Sequence, residues 1–302
     1  MLELDLSPKL RSLLTQQEPL ARHTTFRTGG PADLFLRVNS RDDLIAAVQA
    51  ARASALPFFI LGNGSNILVA DAGIRGLVIE NHASAYETRP RDDRLILSAE
   101  SGASLPGLGN RMARQGWSGL EWAIGVPSTI GAAVVGNAGA HGGTVADNLL
   151  RGELLLPDGT TAWWDNADFA FEYRGSRLKK AAGRFVVLQA EFELARDAAP
   201  NCIARMNKYT EHRRRTQPTD PSVGSMFKNP PGDYAGRLID AAGLKGARVG
   251  QVEVSPVHGN FFVNHGGASA EDVRQLIELV KERVRDRFAL ELELELQLVG
   301  EG

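Results

Sequence analysis

Cysteine is almost missing from this chain: Cys202 stands alone. A single thiol excludes an intrachain disulfide and any multi-cysteine metal site, and it suits a reducing, cytoplasmic compartment. A charge excess of one sign is missing too. Thirty-four Lys and Arg stand against thirty-six Asp and Glu, for a net charge of -2, so the field that nucleic acid or an anionic membrane requires is not there. Neither is expected as a partner. Long apolar runs are also lacking. The longest uncharged stretch, AIGVPSTIGAAVVGNAGA from Ala123, contains Pro127 and Asn137 and is built mostly of small residues, a poor membrane span. The start, MLELDLSPKL, has no basic region followed by an apolar run, so no secretory signal is expected. What remains is 302 residues, 43% hydrophobic and 23% charged, enough for roughly two globular domains.

Helix and strand signals alternate, which gives a mixed α and β class. Ser40, Asp42 and Asp43 ahead of Leu44, Ile45, Val48 and Ala51 read as a capped amphipathic helix. LPFFILG reads as a buried strand entering a glycine turn, and GLVIE, RLILSA and RFVVLQAEFEL as further strands. GLGNRMARQG reads as a helix, and ELLLPDGTTAWW, with Asp158-Gly159 at its centre, as a hairpin. ARDAAPN reads as a linker, with a domain boundary near residue 197, and the basic IARMNKYTEHRRR as a helix after it. Ser269 and Asp272 form a capping-box pair ahead of Val273, Leu276, Ile277, Val280 and Val284. The tail ALELELELQLVG alternates strictly and predicts a strand, with Leu290 to Leu298 on one face and Glu291, Glu293, Glu295 and Gln297 on the other.

Much of the glycine lies in two loops: Gly62-Asn63-Gly64-Ser65-Asn66 and the run from Gly125 to Gly143. Backbone amides can approach a ligand where no Cβ intervenes, and successive amides can form an anion-binding nest. Neither loop fits a familiar nucleotide fingerprint. Gly62 and Gly64 lack a third glycine, and Gly131-Ala-Ala-Val-Val-Gly136 is followed by Asn137 with no Lys or Ser/Thr, so Rossmann and P-loop readings fall.

Seven motifs occur in order along nearly the whole chain: TTFRTGGPAD from Thr24, LGNGSNILV from Leu61, SGLEWAIGVPSTIGAAVVGNAGA from Ser118, FEYRGS from Phe171, GSMFKNP from Gly224, VSPVHGNFFVN from Val254, and LELQLVGE ending at Glu301. Together they resemble the UDP-N-acetylenolpyruvoylglucosamine reductases of peptidoglycan precursor synthesis. The resemblance implies an α+β chain whose FAD-binding part has the vanillyl-alcohol-oxidase (PCMH-type) fold. That part would cover residues 1–196 in two lobes, about 1–80 and 81–196. A smaller α+β substrate-binding domain would cover 197–302, with its final strand, about 289–300, returning to the FAD-binding part. It also implies non-covalent FAD, NADPH as hydride donor, UDP-N-acetylglucosamine enolpyruvate as substrate, UDP-N-acetylmuramate as product, and a monomer in the cytoplasm.

Carried over residue by residue, the resemblance places flavin contacts on Gly62, Gly64, Ser65, Asn66, Gly125, Pro127, Ser128, Thr129, Gly131 and Asn137. It assigns catalysis to Arg174, Ser225 and Glu295, and substrate binding to Tyr173, Arg174 and Asn229, while the basic run Arg213, Arg214 and Arg215 offers candidate cations for the uridine diphosphate, Arg214 and Arg215 being chosen. The residue types suit that chemistry. An arginine can fork onto the substrate carboxylate while charge builds there. A serine, far from neutral in pKa, makes sense as an acid only against a strongly basic carbon. Glu295 beside a carboxylate would have its pKa raised and could donate, although periodicity alone does not choose it over Glu291 or Glu293. If GSMFKNP is extended, Ser225 and Phe227 share one face and Met226 and Lys228 the other, which leaves Lys228 away from Ser225.

The chain departs from the resembling family at three points. Thr216 replaces a common lysine, the segment between Glu193 and Arg205 is too short for the tyrosine-bearing loop of longer members, and His141 stands where tyrosine is frequent. The diphosphate clamp is therefore open, with Tyr209 and Tyr234 as candidates. His141 and His258 have no second ligand at metal spacing, so no metal is expected. Two rival readings stand beside the reductase: an FAD-linked oxidase of a sugar or alcohol, and a nucleotide-sugar-binding protein without activity.

Overall fold

A computed structural model describes residues 4–181 and 183–301. The chain forms two compact units, and neither is continuous in sequence. One comprises Met1–Thr15, Phe35–Gly62 and Leu77–His212; the other comprises Gln16–Leu34, Asn63–Gly76 and Arg213–Gly302. This partition differs from a single cut near residue 197, because two early segments group with the last third of the chain.

The centre of the first unit is an antiparallel sheet in the order Thr161–Asp165, Leu149–Leu155, Val186–Arg196, Arg94–Glu100, Tyr86–Arg91. The long strand Val186–Arg196 is buried along most of its length; Val186, Val187 and Leu188 are consecutive, and Ala190, Phe192 and Leu194 then alternate with Gln189, Glu191 and Glu193. Its inner face packs with Leu97, Leu105, Leu108, Met112, Ile130, Ala133, Val134 and Phe169 in one core. Each of these side chains larger than alanine, fully buried, contributes roughly 1.5–3 kcal/mol. The Asp158-Gly159 hairpin forms as the sequence predicts. Gly159 takes φ +86°, and Asp158 Oδ1 accepts from the amide and hydroxyl of Thr160 at 2.9 and 2.7 Å. Phe58–Leu61 pairs in parallel with Leu77–Glu80 and delivers the chain into the Gly62 turn. Helix Arg41–Ala53 starts on Ser40, whose hydroxyl accepts from the Asp43 amide.

ARDAAPN is not a linker. The strand runs to Arg196 and the helix Ala199–Thr216 begins three residues later, with Pro200 in its first turn, where proline's missing N–H is no loss.

In the second unit, a three-stranded antiparallel sheet, Arg248–Val249, Val252–Val254 and Phe262–Asn264, packs with helix Ala270–Phe288. Val273, Leu276, Ile277, Val280 and Val284 of that helix join Met226, Phe227, Val252, Val254 and Phe262 in one core. Its capping box is present, with Ser269 and Asp272 exchanging side-chain to backbone bonds at 3.0 Å each way.

The tail corrects the expectation of one long strand. Only Gln297–Val299 is a strand, paired in parallel with Ile67–Val69. Residues 290–296 run irregularly between isolated pairings such as Phe227 with Leu294, and Leu298 is 45% exposed. Alternation dictated burial for Leu292 and Leu296; the hydrogen-bond partners of this segment are loops, which interrupt a regular ladder.

Candidate active site

In the first unit, the glycine-rich run folds around the short helix Ile130–Gly136. Thr129 caps it, with its Oγ1 accepting from the Ala132 amide, and Ser128 Oγ donates to Thr129 O at 3.0 Å. Gly62 lies so close that a Cβ there would stand 2.8 Å from Thr129 Oγ1, and a Cβ on Gly131 would stand 2.9 Å from Ser101 Cβ. Close backbone approach therefore demands glycine at both positions. The amides of Ile130 and Gly131 are bonded to Ala103 O and Ser101 O, so the helix start is engaged with protein. Among the described residues the amides of Gly125 and Thr129 donate to no protein acceptor. Gly125 takes φ +74° in the turn that leads to Pro127.

Asn137 ends the helix in the left-handed region, φ +44°. Its side chain is fully engaged within the protein: Nδ2 donates to Glu172 O at 3.0 Å, and Oδ1 accepts from the Ala146 amide at 3.1 Å. Arg174 also adopts a left-handed backbone, φ +56°. For a non-glycine residue such backbone carries strain of order 1 kcal/mol or more and clusters at functional sites. Its Nη1 donates to Gly139 O at 2.7 Å, and Lys179 Nζ donates to its carbonyl at 2.9 Å. Tyr173 beside it is 56% exposed, with the Arg174 guanidinium 5.7 Å from its ring. The structure thus brings Gly62, Thr129, Gly131, Asn137 and Arg174 into one connected region of this unit. His141 stacks on Tyr209 at 4.3 Å, which gives Tyr209 an intramolecular partner.

The second unit holds the other half of the predicted set. The loop after Gly62 places Gly64 at φ +59°, with its Cβ position occupied by the His23 carbonyl. Among the described residues the amides of Asn63, Gly64 and Asn66 donate to no protein acceptor. Such amides, with the hydroxyl of Ser65 between them, are the donor set a pyrophosphate takes. The bare backbone at Gly64 and these amides fit the phosphates of FAD. Asn66 Nδ2 donates to Glu295 O at 3.2 Å, and Asn66 O accepts from Gln297 N at 3.1 Å, so this loop and the tail are joined.

Ser225 follows Gly224, φ +76°, and pairs with Phe261 across an isolated bridge. It lines a cavity of about 410 Å³ together with Asn229, Tyr234, Arg237, Asp240, Lys245, His258 and Asn260. Asn229 Oδ1 accepts from the Ala235 amide at 3.1 Å, fixing the start of helix Ala235–Ala241. Lys228 points elsewhere, onto Glu293 at 3.0 Å, as the alternation of an extended strand requires. Glu291 and Glu293 are 63% and 76% exposed, whereas Glu295 is half-buried, a distinction periodicity could not make.

Arg214 and Arg215 are exposed on their helix and do not line the cavity; Arg237 and Lys245 do. These two were missed because each is a lone cation in an ordinary helix or turn. The signal available was their nearness in sequence to GSMFKNP. Each has an acidic partner, Asp233 and Asp240 respectively. Exposed pairs of this kind are worth under about 1 kcal/mol and are readily exchanged for a ligand anion. Of the two candidate tyrosines, Tyr234 lines the cavity and is 68% exposed. Burial, with Lys245 nearby, holds the His258 imidazole below its ordinary pKa. Its Nδ1 accepts from the Asn260 amide at 3.1 Å, so the neutral ring carries its proton on Nε2. No group of His, Cys, Asp and Glu among the described residues is arranged to hold a metal.

Residues 32–165 match the FAD binding domain model, and residues 217–299 match the C-terminal domain model of UDP-N-acetylenolpyruvoylglucosamine reductase. The UDP-N-acetylenolpyruvoylglucosamine reductase of Moorella thermoacetica is 44% identical over 299 residues, covering 99% of this chain and 97% of the relative. That of Rubrobacter xylanophilus is 45% identical over 284 residues, 94% of each. The crystal structure of UDP-N-acetylenolpyruvylglucosamine reductase (MurB) from Thermus caldophilus superimposes with a TM-score of 0.80 at 36% identity, over 94% of this chain and 97% of that one. With these likenesses spanning nearly every residue, the chain belongs to the UDP-N-acetylenolpyruvoylglucosamine reductase family.

Proposed function

We propose that this protein is the NADPH-dependent, FAD-containing reductase that converts UDP-N-acetylenolpyruvoylglucosamine to UDP-N-acetylmuramate. The observation that carries the reading is Ser225: a hydroxyl on the wall of a cavity that also holds Arg237, Lys245 and Asn229, one residue from a backbone hydrogen bond with Glu295. Residues 1–196 are assigned to FAD binding and 197–302 to substrate binding. The cofactor contacts are Gly62, Gly64, Ser65, Asn66, Gly125, Pro127, Ser128, Thr129 and Gly131, with Asn137 at the end of that run. When bound, FAD supplies the hydride chemistry.

The chain's own groups do the rest. Arg174 and Glu295 face the charge that builds on the substrate carboxylate, the guanidinium as a fixed cation and the carboxyl as a donor when protonated. Ser225 gives its hydroxyl proton to the adjacent carbon, whose enolic character makes it basic enough to take a proton from an alcohol. Lys245 and Arg237 provide cations for the diphosphate, Asn229 an amide, and the exposed rings of Tyr173 and Tyr234 flat faces for the nucleotide sugar. Arg214 and Arg215 serve as outlying cations. The net charge of -2 and the single cysteine support a cytoplasmic enzyme acting apart from nucleic acid and membranes; the monomer rests on the family resemblance alone. No helix of the described residues is long and apolar enough to cross a membrane.

A visible spectrum of the purified protein, before and after NADPH, tests the reading. Flavin absorbance that bleaches on NADPH and returns on anaerobic addition of the enolpyruvyl substrate is the expected result. A colourless protein, or flavin reoxidised only by oxygen, overturns it.

A further inference from the structure

Asn260 makes an unusual number of bonds to the segment that carries Ser225. It is 2% exposed. Its carbonyl accepts from the Met226 amide at 2.8 Å. Its side-chain Oδ1 accepts from the Phe227 amide at 2.9 Å, while Nδ2 donates to the Phe227 carbonyl at 2.8 Å. One residue thus holds three backbone groups of the two residues after Ser225, with its carboxamide doing for Phe227 what a partner strand would do. The amide of Asn260 is in turn set by His258 Nδ1. On the other side, Met226 O accepts from Glu295 N and Lys228 N donates to Glu293 O, so the segment is gripped from both edges. Among the described residues the Asn260 edge is the one that bonds the backbone of Met226 and Phe227 through a side chain, so substitution can loosen that edge.

We propose that Asn260 is the positioning residue for Ser225, locking its strand so that the hydroxyl is held at the carbon to be protonated; this rests on the reading of Ser225 as the proton donor. An alcohol is a weak acid, so its contribution depends on alignment more than on acidity. A displacement near 1 Å at such a group costs on the order of 10²-fold in rate. The buried amides of Met226 and Phe227 have no solvent to fall back on, and loss of the carboxamide leaves the Phe227 peptide without partners.

The test compares wild type with Asn260→Ala, Asn260→Asp, Ser225→Ala and the Ser225→Ala/Asn260→Ala double variant, all as FAD-loaded enzyme. Asn260→Ala is expected to slow turnover of the enolpyruvyl half-reaction by ~10²-fold, with its KM and the NADPH half-reaction near wild type. In the Ser225→Ala background the same change is expected to add almost nothing, because the two act through one hydroxyl. Amide hydrogen exchange at Phe227 is expected to quicken while exchange in helix Ala270–Phe288 stays unchanged. Asn260→Asp offers the Phe227 carbonyl a donor only when protonated. Its rate relative to wild type is therefore expected to rise as pH is lowered, and this profile remains decisive if the alanine variant does not fold. Additive losses in the double variant, equal slowing of both half-reactions, or a flat relative pH profile overturn the positioning role. Ser225→Ala with a wild-type enolpyruvyl half-reaction overturns the acid assignment itself and the positioning role with it, a pattern that a failure at Asn260 alone does not produce.

Discussion

The amide of Glu295 donates to the carbonyl of Met226 at 3.0 Å, which makes the residue after Ser225 the direct backbone neighbour of the glutamate proposed above to act at the substrate carboxylate. Two motifs seventy residues apart, GSMFKNP and LELQLVGE, are thereby one local structure. The same tail is bonded to the Asn66 loop, Asn260 is bonded to Phe227 and Asn264 to Phe26, so the second unit alone joins residues of five of the seven motifs.

Ser225 is expected to act in one half-reaction only. Ser225→Ala should leave flavin reduction by NADPH near wild type and lower the enolpyruvyl half-reaction by ~10²–10⁴-fold, the range of a lost general acid. Ser225→Cys should retain more activity than Ala, since a thiol still gives a proton. Stopped-flow traces of the two steps decide it; equal slowing of both would show that Ser225 merely shapes its loop.

Lys245 is expected to bind rather than to react. Lys245→Met should remove a charge-assisted bond to the diphosphate worth about 1.5–3 kcal/mol, raising KM for the UDP substrate by roughly 10–10²-fold with little change in kcat. Steady-state kinetics with the nucleotide sugar give the answer, and an unchanged KM removes Lys245 from the substrate site.

The flavin is expected to be held without a covalent link, since nothing singles out His23, His82 or Cys202 as an attachment point, His141 of the second loop is stacked on Tyr209, and Cys202 is buried in the helix Ala199–Thr216. Acid or heat denaturation followed by centrifugation should leave the yellow colour in the supernatant. A coloured pellet would contradict this.

Acid should weaken the first unit through three buried carboxylates. Burial pushes Glu153, Glu191 and Glu121 up, but Arg41 with Gln189, Arg151 with Arg89, and the Gly119 amide with Arg205 outweigh it and hold all three below the usual range. A folded pKa under the unfolded value of about 4.3 means that the unfolded chain takes up protons first. The stabilisation is then complete above about pH 5 and fades as pH falls through the folded values. Thermal unfolding midpoints should be flat near neutrality and drop below about pH 4, with a shallower drop in Glu191→Gln. A variant with the wild-type acid slope excludes Glu191 as a contributor.

Local chemistry was legible from the chain because it depends on neighbours in sequence. The Ser40 and Ser269 caps, the Asp158-Gly159 hairpin and the apolar face of helix Ala270–Phe288 follow from side chains within a turn or two of one another. The ordered motifs carried the family, and with it FAD and the fold, because they are fixed by a shared site rather than by composition. Other features required the folded molecule. Alternation made Glu291, Glu293 and Glu295 equivalent, and only the pairing of Gln297–Val299 with Ile67–Val69, together with the bonds of Met226, half-buried Glu295 while leaving the other two in solvent. Arg214 and Arg215 looked like the diphosphate cations from their run of charge, whereas Arg237 and Lys245, unremarkable in sequence, line the cavity. Asn260 had no signal of its own, since an asparagine's two bonds to a peptide thirty-three residues away arise from chain topology. Sequence by itself determined which elements form and which family's residues are present; the tertiary structure decided which of them meet, because burial and hydrogen-bond partners are set by segments distant in the chain and nearest in space.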